Sequence, residues 1–313
     1  MSGNAQRSPK PKDGPPHGAS PEWFRHKGLE VAVHRAGEHG PGVVLLHNGG
    51  TSHSIWRHQI ADLATDHRVV AVDLPGFGAS PLPSQPIDLE THVELLSALI
   101  QHDELAPVTL IGNCMGSAIA AGIAARHPGS VRALVLINPL TDATFAAGGL
   151  GMLMASSRLR SAVTTPVRAV LRRLRFPRVA APLTLRFQVG PAGARAKVHH
   201  DPELTACLLR SEQAPALTDV LADLPTSYHI VRGPDGPPLC TIWGARNRIL
   251  SPRVGARLDS VLRPEHRALV RHTGHLPMLE RPNEVTKVIR SFLAEVTTAD
   301  GGRPTSRTVE IVR

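Results

Sequence analysis

The sequence has few aromatic residues and no long apolar run. Aromatic side chains make up 3% of the 313 residues, although the formal net charge is +9. A protein that stacks nucleic-acid bases needs more rings than this, and no basic run lies on a recognisable nucleic-acid motif. The uncharged run Ala143 to Ser157 is too short and too rich in glycine to span a membrane. We therefore expect no nucleic-acid partner and no integral membrane span.

Cysteine is also scarce, and the three cysteines are scattered along the chain. An odd, scattered set argues against a disulfide framework and for a reducing compartment. A secretory signal requires an apolar segment after its basic residues, and the N-terminal stretch has no such segment. His199, His200 and Asp201 are neighbours that cannot face one ion together, and no other cluster has metal-ligand spacing. We expect a cytoplasmic protein without a metal or other cofactor.

Strand and helix patterns alternate over residues 21–140 and again over residues 227–297. Such alternation predicts an α/β fold with a doubly wound, mostly parallel sheet and helices on both faces. Between these halves, residues 141–226 show helical and loop patterns without a strand, which predicts a helical cap inserted over the sheet. Residues 1–20 and 298–313 offer little to bury, and we expect a disordered tail and a flexible tail there.

The most informative stretch is Gly112-Asn113-Cys114-Met115-Gly116, which lies between an apolar strand pattern and an Ala-rich helix pattern. A sharp strand-to-helix turn needs glycines on both sides of its apex. It projects the apex side chain into open space at a helix N-terminus, which favours a developing anion. The stretch resembles the G-x-S-x-G nucleophile elbow of the α/β-hydrolase family, with Cys114 at the apex in place of serine. The resemblance implies an α/β-hydrolase fold with Cys114 as the nucleophile.

Two further segments resemble the same family. The segment His47-Asn48-Gly49-Gly50 resembles the H-G-x segment of the oxyanion hole, and the resemblance implies that the N–H groups of Gly49 and Met115 bind the oxyanion. The segment Thr273-Gly274-His275-Leu276-Pro277 resembles the catalytic histidine loop, which implies that His275 is the general base. We expect five further residues to contact the substrate: Asn48, Gly50, Asn113, Met152 and Met154.

The residue that orients His275 has two candidates. The family places its acid where Asn247 stands, and an amide cannot supply the charge that stabilises an imidazolium. A cysteine tolerates this change if a nearby His⁺ and a helix N-terminus lower its pKa, because a thiolate–imidazolium pair then forms without a carboxylate. Asparagine then suffices to orient the ring, as in papain-like proteases. Asp142 is the alternative, since some family members recruit their acid from that neighbouring strand.

The charged residues in most of the inserted segment are all positive. Ala143 to His200 contains ten Arg or Lys residues and no acid. This is either a solvated outer face or a docking surface for something anionic: an acyl carrier protein, a phosphopantetheine arm, coenzyme A or an acidic membrane surface.

Three functions follow from these residues. The first is a hydrolase that cleaves an ester, lactone or thioester of a small acyl substrate through a Cys114 acyl-enzyme. The second is an acyltransferase, cyclase or thioesterase that acts on carrier-bound or CoA-bound acyl groups. The third is a non-catalytic binding member of the family, which the asparagine at position 247 would suit.

Overall fold

The computed structural model describes residues 21–156, 178–233, 235–298 and 307–308. Nine strands form one sheet in the order β1-β2-β4-β3-β5-β6-β7-β8-β9. The two pairs that involve β2 are antiparallel and all the others are parallel. The strands are β1 (Glu22–His26), β2 (Leu29–Ala36), β3 (Gly42–Leu46), β4 (Arg68–Asp73), β5 (Val108–Asn113), β6 (Val131–Ile137), β7 (Leu239–Gly244), β8 (His266–Val270) and β9 (Arg307–Thr308).

Helices cover both faces of the sheet, so the predicted α/β fold is confirmed. The helices are α1 (Arg57–Leu63), α2 (Leu89–His102), α3 (Met115–Arg126), α4 (Asp142–Ala146), α5 (Gly149–Ser156), α6 (Ala181–Gln188), α7 (Pro191–Arg195), α8 (Pro202–Leu209), α9 (Gln213–Ser227), α10 (Pro252–Leu262), α11 (Pro277–Glu280) and α12 (Pro282–Thr298). Helices α2 and α3 pack into one apolar core, and α1 and α12 pack into the other. None of the described helices is both long and apolar enough to cross a membrane.

The strands at the centre of the sheet are buried on both faces. Every residue of β3, β5 and β7 is buried, which explains why these segments are nearly continuous apolar runs instead of alternating ones. Parallel strands present their carboxyl ends at one edge. The loops after β3, β5, β7 and β8 therefore meet there, and the three motifs of the sequence lie on these loops.

The inserted segment, residues 141–226, contains helices α4 to α9 and no strand in its described part. Residues 157–177 lie outside the described residues, and they hold six of the ten cations, including Arg168, Arg172 and Arg175. The four described cations are Arg178, Arg186, Arg195 and Lys197.

Two strands at the edges of the sheet differ from the sequence prediction. Strand β1 forms an antiparallel hairpin with β2, and only Phe24 of its five residues is buried, so its apolar pattern was too short to recognise. Strand β9 pairs Arg307 and Thr308 with β8, inside the stretch predicted to be a flexible tail. A polar two-residue strand has no periodicity from which it could be predicted.

Candidate active site

The turn from β5 into α3 places Cys114 at its apex. Cys114 has φ 53° and ψ −112°, a backbone conformation that non-glycine residues rarely adopt. Both neighbouring glycines are required by close backbone contacts. A Cβ at Gly116 would lie 2.2 Å from the carbonyl oxygen of Leu46, and one at Gly112 would lie 2.3 Å from the backbone of Gly116. The segment has the strained geometry expected of a nucleophile elbow.

Cys114 lies in the wall of a cavity of about 730 Å³. His275, Gly49, Gly50 and Met115 line the same cavity, so the structure brings the elbow, the oxyanion segment and the histidine loop together. The rest of the lining comes mainly from the inserted segment and is mostly apolar. Its apolar residues are Leu140, Phe145, Leu150, Leu183, Phe187, Leu208, Ala214, Leu217, Val220, Leu221, Leu224 and Ile249. No charged side chain belongs to the described lining.

Asn247 is the residue that contacts the imidazole of His275. Its Nδ2 lies 3.1 Å from Nδ1 of His275, and its Oδ1 accepts hydrogen bonds from the backbone N–H groups of Ile249 and Leu250. The other candidate, Asp142, is in the first turn of α4. The imidazole therefore faces an amide that the backbone of the β7–α10 loop holds in place.

The backbone of the histidine loop is anchored to the inserted segment. The N–H of His275 donates to the carbonyl of Gln188 at 2.7 Å. Glu280 is buried and accepts hydrogen bonds from backbone N–H groups on both sides, those of Gly274 and Leu276 in the loop and those of Gly190 and Gly193 in the inserted segment. Burial raises the pKa of Glu280, and these N–H groups oppose that shift.

Three of the predicted substrate contacts, Asn48, Asn113 and Met152, are not part of the described lining of the cavity. Asn113 donates to the side chain of Asn48 at 3.1 Å and to the carbonyl of His275 at 3.2 Å, and both asparagines are fully buried behind the loops. Asn138, which sequence reasoning missed, donates to the same carbonyl. Together they connect the three motif loops. The side chain of Met152 is 58% exposed and is not part of the described lining.

The other two predicted contacts have different outcomes. Gly50 lines the cavity. The side chain of Met154 lies outside the described residues.

The protonation of the site differs from the expected thiolate–imidazolium pair. Burial raises the pKa of the Cys114 thiol to about 12, although the backbone N–H of Met115 opposes the shift. Burial also lowers the pKa of His275 from 6.5 to about 3. Both side chains are therefore neutral at pH 7, because desolvation penalises each charged form. Burial therefore acts against the lowered thiol pKa that the sequence led us to expect.

A second polar cluster lies away from Cys114, at the end of β4. Asp73 accepts hydrogen bonds from the N–H groups of His53 and Ala79, and so holds the turn after β4. The ligand atoms of His34, His53 and Asp73 lie within 4.8 Å of one another. The two imidazole rings are stacked with centroids 3.4 Å apart and an interplanar angle of 17°. Since the lone pair of each nitrogen lies in its ring plane, stacked rings do not converge on one ion, and we infer no metal there.

Comparison with known families decides how this geometry is classified. The family profile described as alpha/beta hydrolase fold matches residues 41–282, more than three quarters of the chain. The chain belongs to the alpha/beta hydrolase fold family. The match includes the elbow, the oxyanion segment, Asn247 and the histidine loop.

Individual members of the family are similar over most of this chain. A dihydrolipoyllysine-residue acetyltransferase component of an acetoin cleaving system from Pseudomonas putida is 28% identical over 82% of the chain, which spans 64% of that protein. Lipase LipV from Mycobacterium tuberculosis is 29% identical over 85% of the chain and 98% of the lipase. A pimeloyl-[acyl-carrier protein] methyl ester esterase from Neisseria meningitidis is 26% identical over 83% of the chain and 79% of the esterase.

Solved structures share the fold. A thermophilic esterase from Thermogutta terrifontis superposes with a TM-score of 0.72, covering 89% of this chain and 98% of the esterase at 21% sequence identity. At this identity the likeness establishes the fold alone.

Proposed function

We propose that this chain is a hydrolase that cleaves an ester, lactone or thioester with an uncharged, apolar acyl group through a thioester on Cys114. The observation that carries the proposal is the position of Cys114 at a strained elbow in the wall of a cavity that His275 and the oxyanion segment also line. Relatives named as an esterase and a lipase support the class of reaction.

The cavity favours an apolar acyl group. Its described lining has no charged side chain, and its polar side chains other than Cys114 and His275 are Thr184, Gln188 and Thr218. A charged substrate group inside it would lose its hydration without gaining a partner. A volume of about 730 Å³ is in the range of pockets that hold a small molecule of drug size.

The chemistry requires two proton transfers. In acylation, the sulfur of Cys114 attacks the carbonyl carbon while its proton passes through His275 to the leaving oxygen or sulfur. We propose that the N–H groups of Gly49 and Met115, which line the same cavity, hold the oxyanion of the tetrahedral intermediate. In deacylation, water attacks the thioester with His275 as base, which releases the acid and restores the thiol. We propose that the inserted segment serves as the cap that excludes bulk water.

A second candidate is action on acyl groups attached to a carrier protein or to coenzyme A. Leu183 lines the cavity and yet is 72% exposed, so α6 borders its opening. Arg186 lies on the same helix, and the described cations of the neighbouring segment provide positive charge for a phosphorylated carrier arm. One relative is named as an esterase of a carrier-bound ester and another as an acetyltransferase component, which fits this alternative.

A third candidate is a binding protein of the same fold that catalyses no reaction. Asn247 in the position of the acid favours it, because an amide stabilises an imidazolium poorly. The retained thiol and the retained elbow glycines favour an enzyme.

Hydrolysis of a series of p-nitrophenyl esters from acetate to decanoate tests the proposal. We expect turnover to increase with acyl length and to be lost in Cys114→Ala. Cys207→Ala is the matched control, since Cys207 is equally buried at 8% exposure and is not part of the described lining. Equal rates in the wild type and Cys114→Ala would contradict the assignment. A rate on acyl-carrier substrates that falls in Arg186→Ala, with p-nitrophenyl ester rates unchanged, would favour the second candidate.

A further inference from the structure

The side-chain amide of Asn247 has a fixed orientation. Its Oδ1 accepts hydrogen bonds from the backbone N–H groups of Ile249, at 2.9 Å, and Leu250, at 3.1 Å. An amide NH₂ group cannot accept from these donors, so a flipped amide would lose both bonds and leave two N–H groups without a partner. Nδ2 is therefore the atom that faces Nδ1 of His275, at 3.1 Å.

This orientation selects one tautomer of the imidazole. The amide nitrogen can only donate, so Nδ1 of His275 has to accept, and the proton of the neutral ring resides on Nε2. We infer that Asn247 is a positioning residue that holds His275 as its Nε2–H tautomer. In the triad of hydrolases with an acid at this place, the carboxylate accepts from Nδ1–H and leaves Nε2 free as the base. Asn247 imposes the reverse arrangement.

The consequence for the reaction rests on the proposed function. The thiol proton of Cys114 can move to Nε2 only after the ring has exchanged its proton to Nδ1. In that form the Nδ1–H of His275 and the Nδ2–H of Asn247 point at each other and repel. The repulsion is relieved only if the amide flips and loses its hydrogen bonds from Ile249 and Leu250. A serine protease whose triad aspartate is replaced by asparagine loses about 10⁴-fold in kcat because of the wrong tautomer. We therefore expect the wild-type chain to form its acyl-enzyme slowly.

Asn247→Asp reverses the constraint with almost no change of shape. One carboxylate oxygen retains the bonds from Ile249 and Leu250, and the other accepts from Nδ1–H of His275. The imidazole then presents a lone pair on Nε2. Asn283→Asp makes the same chemical change in the first turn of α12 and serves as the matched control.

Nitrogen NMR on protein labelled with [¹⁵N]histidine tests the tautomer directly at pH 7.5. The signals of His275, one of 17 histidines, are assigned by their loss in His275→Gln. We expect a pyridine-type Nδ1 and a pyrrole-type Nε2 in the wild type and in Asn283→Asp, and the two types exchanged in Asn247→Asp. A pyrrole-type Nδ1 in the wild type, or no exchange in Asn247→Asp, would overturn the inference.

The rate of acylation separates this inference from the proposed function. The burst of p-nitrophenolate from an apolar ester should be faster in Asn247→Asp than in the wild type by about tenfold or more, up to about 10⁴-fold. If the tautomer changes and neither protein acylates Cys114, the tautomer assignment holds and the proposed function fails. If the wild type already acylates as fast as Asn247→Asp and shows a pyrrole-type Nδ1, the proposed function holds and the tautomer assignment fails.

Discussion

Cys114 should react with iodoacetamide more slowly than an ordinary exposed thiol at pH 8. With a pKa of about 12, about one Cys114 in 10⁴ is a thiolate at this pH, whereas about one in four ordinary thiols with a pKa of 8.5 is ionised. The more basic thiolate is also more nucleophilic. With a Brønsted coefficient of 0.4–0.5, its rate constant is about 40-fold larger than that of an ordinary thiolate. The net expectation is labelling about 60-fold slower than that of a free peptide thiol, before any further delay from burial.

Timed labelling followed by peptide mass spectrometry measures this rate. The method reports Cys114 separately from Cys207 and Cys240, whose pKa values burial also raises. The rate at Cys114 should increase about tenfold per pH unit between pH 7 and pH 10, because its pKa lies above this range. Labelling of Cys114 at pH 6 as fast as that of a peptide thiol would mean that a thiolate–imidazolium pair exists. That result would refute the neutral pair deduced from burial.

Three further predictions concern stability and specificity. The pKa of His275 is lowered to about 3 in the folded state, so the unfolded chain binds the extra proton below pH 6.5, and acid destabilises the fold. Between pH 7 and pH 5 this group should lower the free energy of unfolding by about 2 kcal/mol, and urea unfolding of His275→Gln should show a pH dependence weaker by that amount; identical dependences would contradict it. Gly116→Ala brings a Cβ against the Leu46 carbonyl, so it should lower the free energy of unfolding, measured by thermal unfolding, by about 1–3 kcal/mol. Gly129→Ala has open space around its Cβ and should leave this free energy unchanged. Ala214→Phe narrows the cavity and should lower kcat/KM for long acyl esters by about tenfold or more while acetate esters keep their rate; an equal loss on all esters would argue against an acyl pocket.

The sequence was sufficient to predict the core of the fold and the meeting of the motif loops. Strands β6 and β7 lie in the stretches of alternating pattern, and each is an almost entirely buried apolar run. The elbow residues Gly112 and Gly116 were informative because no other residue fits so close to a neighbouring backbone. These are local constraints, and each is recorded in the identity of a few consecutive residues.

The chemical state of the site was not predictable in the same way. A nearby His⁺ and the helix N-terminus favour a lowered pKa for the Cys114 thiol, but the thiol is buried, and desolvation raises its pKa. The position of Asn247 was readable from the chain, but the orientation of its amide depends on the backbone N–H groups of Ile249 and Leu250. The hydrogen bond between Asn113 and Asn48 was likewise not readable from the sequence. Each of these properties arises from distant segments packed together.

The central claim is that Cys114 carries the acyl group, and intact-protein mass spectrometry tests it most directly. The wild type, Asn247→Asp and Cys114→Ala would each be incubated with an octanoyl thioester and quenched in acid at intervals. The account predicts a single octanoyl adduct that forms slowly in the wild type, faster in Asn247→Asp and not at all in Cys114→Ala. An adduct that persists in Cys114→Ala, or the absence of any adduct in both proteins that retain the thiol, would contradict covalent catalysis by Cys114.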